Sequence, residues 1–163
     1  MRKIYYGLIE ILSLFCLIWA FYPLFFLNDL GDASVPIHYN FQGQVDGWGD
    51  RSSIWMQPIL ALIVYFLFSI LVKFPEKLNY PIKVTKENSN ILYKLMINML
   101  RHIKLICLIL FAYGSNLSFG IAIGKYGVEN HYVVVILIGL MFAVTLFYVL
   151  QMIKFRAHKN EKV

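Results

Sequence analysis

Residues 132–153 read YVVVILIGLMFAVTLFYVLQMI, 22 residues without a single charged side chain. A helix needs about 20 consecutive apolar residues to cross the hydrocarbon of a bilayer, and this run supplies them. Three more stretches approach the same description: 4–27, where Glu10 is the only charge; 54–72, with none; and 103–124, with Lys104 at its entrance. The composition agrees. Of 163 residues 60% are hydrophobic and 15% charged, against about 45–50% apolar and about 25% charged in a soluble domain. A soluble globule of this length could not bury so much apolar surface, and an intrinsically disordered chain would not carry it. The expectation is a single membrane domain over 1–163, an all-α four-helix bundle. It has an extracytoplasmic loop at 28–53, a cytoplasmic loop at 73–102 and a cytoplasmic tail at 154–163.

Arg2 and Lys3 before the first run invite a signal-peptide reading. Glu10 inside the apolar stretch and the lack of a small-residue cleavage site after it argue for a retained span. Thirteen of the 15 basic residues fall in the N-terminal tail, in 73–102, at Lys104 or in the C-terminal tail; only Arg51 and Lys125 lie in the other two loops. Cytoplasmic loops collect Lys and Arg, so both termini are expected in the cytoplasm. The net charge of +6 then reads as topology and contact with the bilayer, and nucleic acid is not an expected partner. Cys16 and Cys107 lie inside apolar runs and read as small core hydrophobes.

The loop 28–53 is the most informative polar stretch. From 35 to 42 apolar and polar residues alternate: Val35, Ile37, Tyr39 and Phe41 on one side, Pro36, His38, Asn40 and Gln42 on the other. That period predicts a strand with one buried face. Gly43 offers a turn, and Asp46-Gly47 a second one beside Trp48-Gly49. The result is a small ordered structure over the outer helix ends, with Phe41 and Trp48 suited to the interfacial aromatic belt. His38, Asn40 and Asp46 could share a site for a divalent metal or an outside ligand, or could hold the loop's turns through hydrogen bonds to its backbone. One His with scattered Asp falls short of the three or four ligands of a zinc site. No cofactor is expected.

The run Pro36-Ile37-His38-Tyr39-Asn40, then Gly43, Asp46-Gly47-Trp48-Gly49 and Arg51, resembles the signature of a bacterial membrane domain of unknown function that forms the N-terminal part of SdpI-type toxin-immunity and signalling proteins. Phe74-Pro75, Asn79-Tyr80-Pro81, Thr85, Glu87 and Asn88 are similar to the cytoplasmic stretch of stand-alone members. The resemblance spans about residues 20–124 and implies a multi-pass protein of the bacterial inner membrane with this loop outside. SdpI-type proteins carry a further membrane domain, whereas one helix follows the shared region here.

In the cytoplasmic loop Phe74-Pro75 should end the second helix, and Asn79-Tyr80-Pro81 should turn the chain. Thr85 reads as an N-cap with Glu87 in the first turn. Ile91, Leu92, Leu95, Met96, Met99, Leu100 and Ile103 then recur at helical spacing. This predicts an amphipathic helix on the inner membrane surface or against the rest of this chain, turning afterwards into the third span; docking of a partner protein is the weaker option.

Inside the spans, Glu10 shares a helix face with Gly7 and Ser13 and must meet protein, water or a proton. Pairing with Lys104, or a hydrogen bond near Gln151, is expected. Gly114/Ser118 and Gly120/Gly124 are small-xxx-small pairs that let helices approach. Asn116 either bonds to a neighbouring helix or, with Tyr113 and Gly120, lines a shallow outward pocket reaching His38 or Asp46. No phosphate loop, HExxH, GxSxG or internal repeat is present. Three functions stay in play: a non-enzymatic immunity, sensing or peptide-interaction protein working through the outer loop; a small permease or accessory subunit with Glu10 and Asn116 on its route; and a membrane enzyme using His38 and Asp46. A homo-oligomer is compatible with each.

Overall fold

The computed structural model describes residues 2–40, 42, 44–126 and 132–160, without the side chains of 2, 3 and 156–160. Phe41 and Gly43 lie outside the described residues. The chain runs through α1 (Arg2–Ala20), a 3-10 helix (Tyr22–Leu30), strands β1 (Val35–Tyr39) and β2 (Val45–Gly49), and a 3-10 helix (Arg51–Trp55). It continues through α2 (Met56–Leu71), a 3-10 turn (Pro75–Lys77), α3 (Ser89–Ala122) and α4 (Tyr132–Asn160). Four helical stretches are long and apolar enough to cross a membrane: Ile4–Leu30, Arg51–Leu71, Ser89–Ala122 and Tyr132–Phe155. The molecule is a mostly helical, multi-pass membrane protein with one small hairpin.

Helix α3 is the hub, packing against α1, α2, α4 and β1. Where α1, α2 and α3 meet, the side chains are small. Ala20, Ala61 and Ala112 are fully buried together with Leu108, and Cys16 and Leu17 close the cluster. Small residues let backbones approach where lipid supplies no hydrophobic drive between helices. The end of α1 leaves carbonyls without an intrahelical partner, and α3 satisfies two of them. The Ser115 hydroxyl donates to the Ala20 carbonyl at 2.8 Å, and the Asn116 amide donates to the Trp19 carbonyl at 3.1 Å. In hydrocarbon such groups must be satisfied internally.

Helix α4 lies at the periphery. Val134, Leu137, Met141, Val144, Thr145 and Tyr148 are half-buried at spacings of three and four, a stripe that faces α3. Ile136, Phe142 and Leu146 are exposed. With Ile11, Phe15 and Ile18 of α1 and Ile63 and Phe66 of α2, also exposed, they form an apolar surface far beyond what a soluble monomer shows, which suits lipid.

Two expectations for the loop 73–102 need correction. Thr85 is not the N-cap: α3 starts at Ser89 behind Asn88, and the buried Thr85 hydroxyl makes no hydrogen bond. The Asn88 side chain instead accepts from the Thr85 amide at 2.7 Å and donates to the Lys83 carbonyl at 3.0 Å. The amphipathic segment also does not turn into the third span. It is continuous with it over 34 residues, because no Gly or Pro interrupts 89–113. Such a helix is about 51 Å long, against a hydrocarbon core of about 30 Å, so its first turns project beyond the membrane. Their apolar side, Leu92, Met96 and Leu100, packs with Ile82 and Met152 and is flanked by Tyr80 and Val84. The loop folds back over the helix, and within the loop the Tyr80 hydroxyl donates to the Pro75 carbonyl at 2.9 Å.

Candidate functional site

The outer loop is a two-stranded antiparallel hairpin. Its turn is closed at residues 40–44: the Asn40 amide donates to the Gln44 carbonyl and the Gln44 amide to the Asn40 side chain, each at 2.9 Å. Asp46-Gly47, expected as a second turn, lies within β2. The expected alternation also fails. Val35 and Pro36 are both buried, while Ile37 and His38 are both exposed. The pairing shifts register between Pro36 and His38 and again between His38 and Tyr39, and a bulge re-aims the side chains that follow it.

The hairpin is pinned to the helix ends. Val35, Leu30, Ile54 and Phe119 form a buried cluster. The hydroxyls of Tyr39 and Ser118 lie 3.4 Å apart, and burial pushes the Tyr39 hydroxyl above its ordinary pKa, which keeps it protonated. Arg51 donates to the Leu27 carbonyl at 2.7 Å. Asp50 caps the next 3-10 helix, accepting from the Ser52 hydroxyl at 2.6 Å and the Ser52 amide at 3.0 Å. These bonds, the side-chain one foremost, hold the Asp50 carboxyl below its usual range. A depressed carboxyl contributes stability above its unfolded pKa of about 3.9 and loses it as pH falls through the folded value. Acidification below about pH 4 should therefore lower the protection of the Ser52 and Ser53 amides relative to their intrinsic exchange rates, and Asp50→Asn should flatten that dependence.

On this platform His38 Nδ1 meets Asp46 Oδ1 at 2.5 Å. The carboxylate can only accept, so Nδ1 carries the proton, and in the neutral ring Nε2 is an acceptor. The two side chains are 71% and 42% exposed, so the pair orients a ring more than it stabilises the fold. Gly47 sits opposite His38, where an added Cβ would come within 2.8 Å of the His38 Cβ. Ile37 and Trp48 are also exposed, 43% and 52%. Asn40 belongs to the turn, not to the His38–Asp46 pair. Among the described residues no three His, Cys, Asp or Glu side chains gather as a metal site.

At the opposite end of the bundle, Lys104 Nζ donates to Glu10 Oε2 at 2.6 Å, with the Ser69 hydroxyl at 3.4 Å and the Tyr65 ring centre at 5.0 Å. Lys104 is 1% exposed and Glu10 38%. Arg101 Nε lies 3.7 Å from Glu10 Oε1, its guanidinium stacked 4.3 Å from the Tyr6 ring centre. Beside them is a residue the sequence reading passed over. His102 bonds through Nε2 to the Tyr5 hydroxyl at 2.6 Å, and its Nδ1 lies 2.6 Å from the Asn98 carbonyl and 3.2 Å from the Tyr148 hydroxyl. A carbonyl can only accept, so Nδ1 is protonated and, in the neutral ring, Tyr5 donates to Nε2. His102 thereby joins α1, α3 and α4.

Asn116 is engaged in helix packing, donating to Trp19 and to Ala112 at 2.8 Å. It and Gly120 do line a pocket, but with Tyr22, Phe26, Asp29, Phe119, Ile123, Lys125 and Tyr126; Tyr113, His38 and Asp46 are not part of its wall. Of the small-residue pairs, Gly114 faces the Gln57 side chain of α2, whereas Gly120 receives the Tyr126 ring and Gly124 ends α3 at φ +72°.

Residues 13–62 match a family described as a domain of unknown function (DUF1648). The matched stretch runs from the middle of α1 through the hairpin into α2, so it contains His38, Asp46 and the Leu30, Val35 and Ile54 part of their platform, and stops short of Lys104, Asn116, Ser118 and Phe119. No curated protein and no solved structure matches the chain.

Proposed function

We propose that this chain is a non-enzymatic recognition protein of a bacterial cytoplasmic membrane, with both termini inside and the hairpin outside. On this reading it senses, or gives immunity to, a peptide or other envelope component that touches the hairpin. The observation that carries it is the combination of a pinned scaffold with unspent side chains. Val35, Leu30, Ile54 and Phe119 anchor the hairpin, while Ile37, Trp48 and the oriented His38 ring stand exposed on it. Exposed aromatic anchors beside a positioned polar group are what binding surfaces use. The partition of thirteen basic residues against two supports the orientation. The SdpI-type resemblance supports the bacterial-membrane reading.

The test is a deletion strain challenged with membrane-active peptides and envelope stress, complemented with wild type, His38→Ala or Trp48→Ala. Each variant should accumulate normally and lose about tenfold or more in protection, as loss of an interface anchor worth about 2 kcal/mol implies. Full protection by both variants would sink the reading. The permease alternative predicts instead that Glu10→Gln abolishes a flux while His38→Ala leaves it intact. The enzyme alternative predicts turnover lost with His38→Ala in a folded protein.

A further inference from the structure

The pocket beside Asn116 is unrelated to His38 and Asp46, and its lining is chemically uneven. Two opposite charges, Asp29 from the end of the first span and Lys125 from the turn after α3, share one cavity of about 200 Å³. Among the described residues neither makes an ion pair. Aromatic rings fill much of the remaining wall: Tyr22 and Phe26, 5.0 Å apart, with Phe119 and Tyr126. The far side is tightly built. The Lys125 and Tyr126 amides both donate to the Gly120 carbonyl, at 2.7 and 3.2 Å. The Tyr126 ring lies so close over Gly120 that an added Cβ would run into it.

We infer that this pocket binds a small zwitterion carrying an ammonium and a phosphate, the chemistry of a phosphoethanolamine headgroup. The ammonium faces the Asp29 carboxylate and the Tyr22 and Phe26 rings, which attract cations, and the phosphate faces Lys125. The cavity, about 200 Å³, lies below the range of about 300–1,000 Å³ for drug-sized sites, which suits a headgroup-sized group. The cavity sits between the ends of two spans, where aromatic side chains meet headgroups, and the partly exposed Phe26 and Ile123 at its wall suit an acyl chain leaving toward the bilayer. The source is a lipid headgroup or a free zwitterion of the same chemistry.

The test uses the full-length protein in detergent, with native mass spectrometry counting bound phosphatidylethanolamine, phosphatidylglycerol and free phosphoethanolamine. Wild type should retain one phosphatidylethanolamine in preference to phosphatidylglycerol, which lacks the ammonium. Asp29→Asn and Lys125→Gln should each weaken that binding about tenfold, the cost of losing one charged hydrogen bond. Gly120→Ala, which keeps both charges but displaces the Tyr126 ring, should weaken it too. Free phosphoethanolamine that displaces the lipid at equal concentration identifies the soluble zwitterion as the ligand; failure to displace identifies the lipid. Equal retention of the two lipids with all three variants unchanged overturns the inference, as does retention of none of the probes.

Discussion

Glu10→Gln should destabilise the protein by about 3 kcal/mol, whereas Lys104→Met should cost about 1 kcal/mol or less. The asymmetry follows from burial. Lys104 is 1% exposed and Glu10 38%. In the Gln variant the buried ammonium keeps only uncharged partners, the new amide oxygen, the Ser69 hydroxyl at 3.4 Å and the Tyr65 ring, with the Arg101 cation nearby. An uncompensated buried charge is the expensive case. Without the ammonium, Glu10 still has Arg101 at 3.7 Å and access to the surroundings. Removing both charges leaves only Arg101, 22% exposed and stacked on Tyr6, without its carboxylate, so Glu10→Leu with Lys104→Met should cost less than Glu10→Gln alone. The charge swap Glu10→Lys with Lys104→Glu should recover part of the loss from Glu10→Lys. Reversible unfolding in detergent or bicelles measures all of these. Equal single costs that simply add in the double variant would show that the two groups are not coupled.

The Glu10–Lys104 contact was legible because an isolated charge in an apolar run has few fates, and the chain offers a counter-charge at the edge of another span. His102 was not legible. It stands at the edge of a basic loop, and its side-chain partners Tyr5 and Tyr148 are 97 and 46 residues away. Tyrosines near span ends read equally well as belt residues. Only the packing of α1 and α4 against one face of α3 distinguishes a tyrosine on a histidine from a tyrosine in the headgroups.

The hairpin divides the same way. Its first strand followed from a period of two, but β2, where Asp46-Gly47 reads as a turn, and the faces of both strands did not. Pairing shifts at Pro36 and His38 expose Ile37 and bury Pro36, and nothing local announces a bulge. The length of α3 failed for a different reason. Amphipathic and uniformly apolar segments look like separate elements when read by composition, yet a helix ends only where its backbone is broken or capped, and nothing between residues 89 and 113 does so. The pocket was half legible: Asn116 and Gly120 share a face of α3, but Asp29 and Lys125 reach them only through the 3-10 helix of the first span and the turn at Gly124.

Ala112→Leu should be the most damaging substitution in the apolar core, costing about 3 kcal/mol. Ala112 has no exposed surface and packs in the cluster that also holds Ala20 and Ala61, one alanine from each of three helices. Such a junction has no slack, because protein interiors are packed like crystals and extra methyl groups force backbones apart. The displacement would not stay local. One turn along α3, Ser115 and Asn116 satisfy the Ala20 and Trp19 carbonyls, and a further turn on, Ser118 and Phe119 seat the hairpin. Helices pushed apart at Ala112 would therefore strain those hydrogen bonds and loosen the platform under His38. Ala143→Leu on α4 makes the same chemical change at an exposed position and should stay within about 0.5 kcal/mol. Thermal unfolding of the two variants side by side, with hydrogen exchange of the Tyr39 amide as a local reporter, separates the cases. If Ala112→Leu melts like Ala143→Leu, the three-alanine junction does not hold the bundle together; if it melts early with Tyr39 exchange raised, the hairpin depends on that junction.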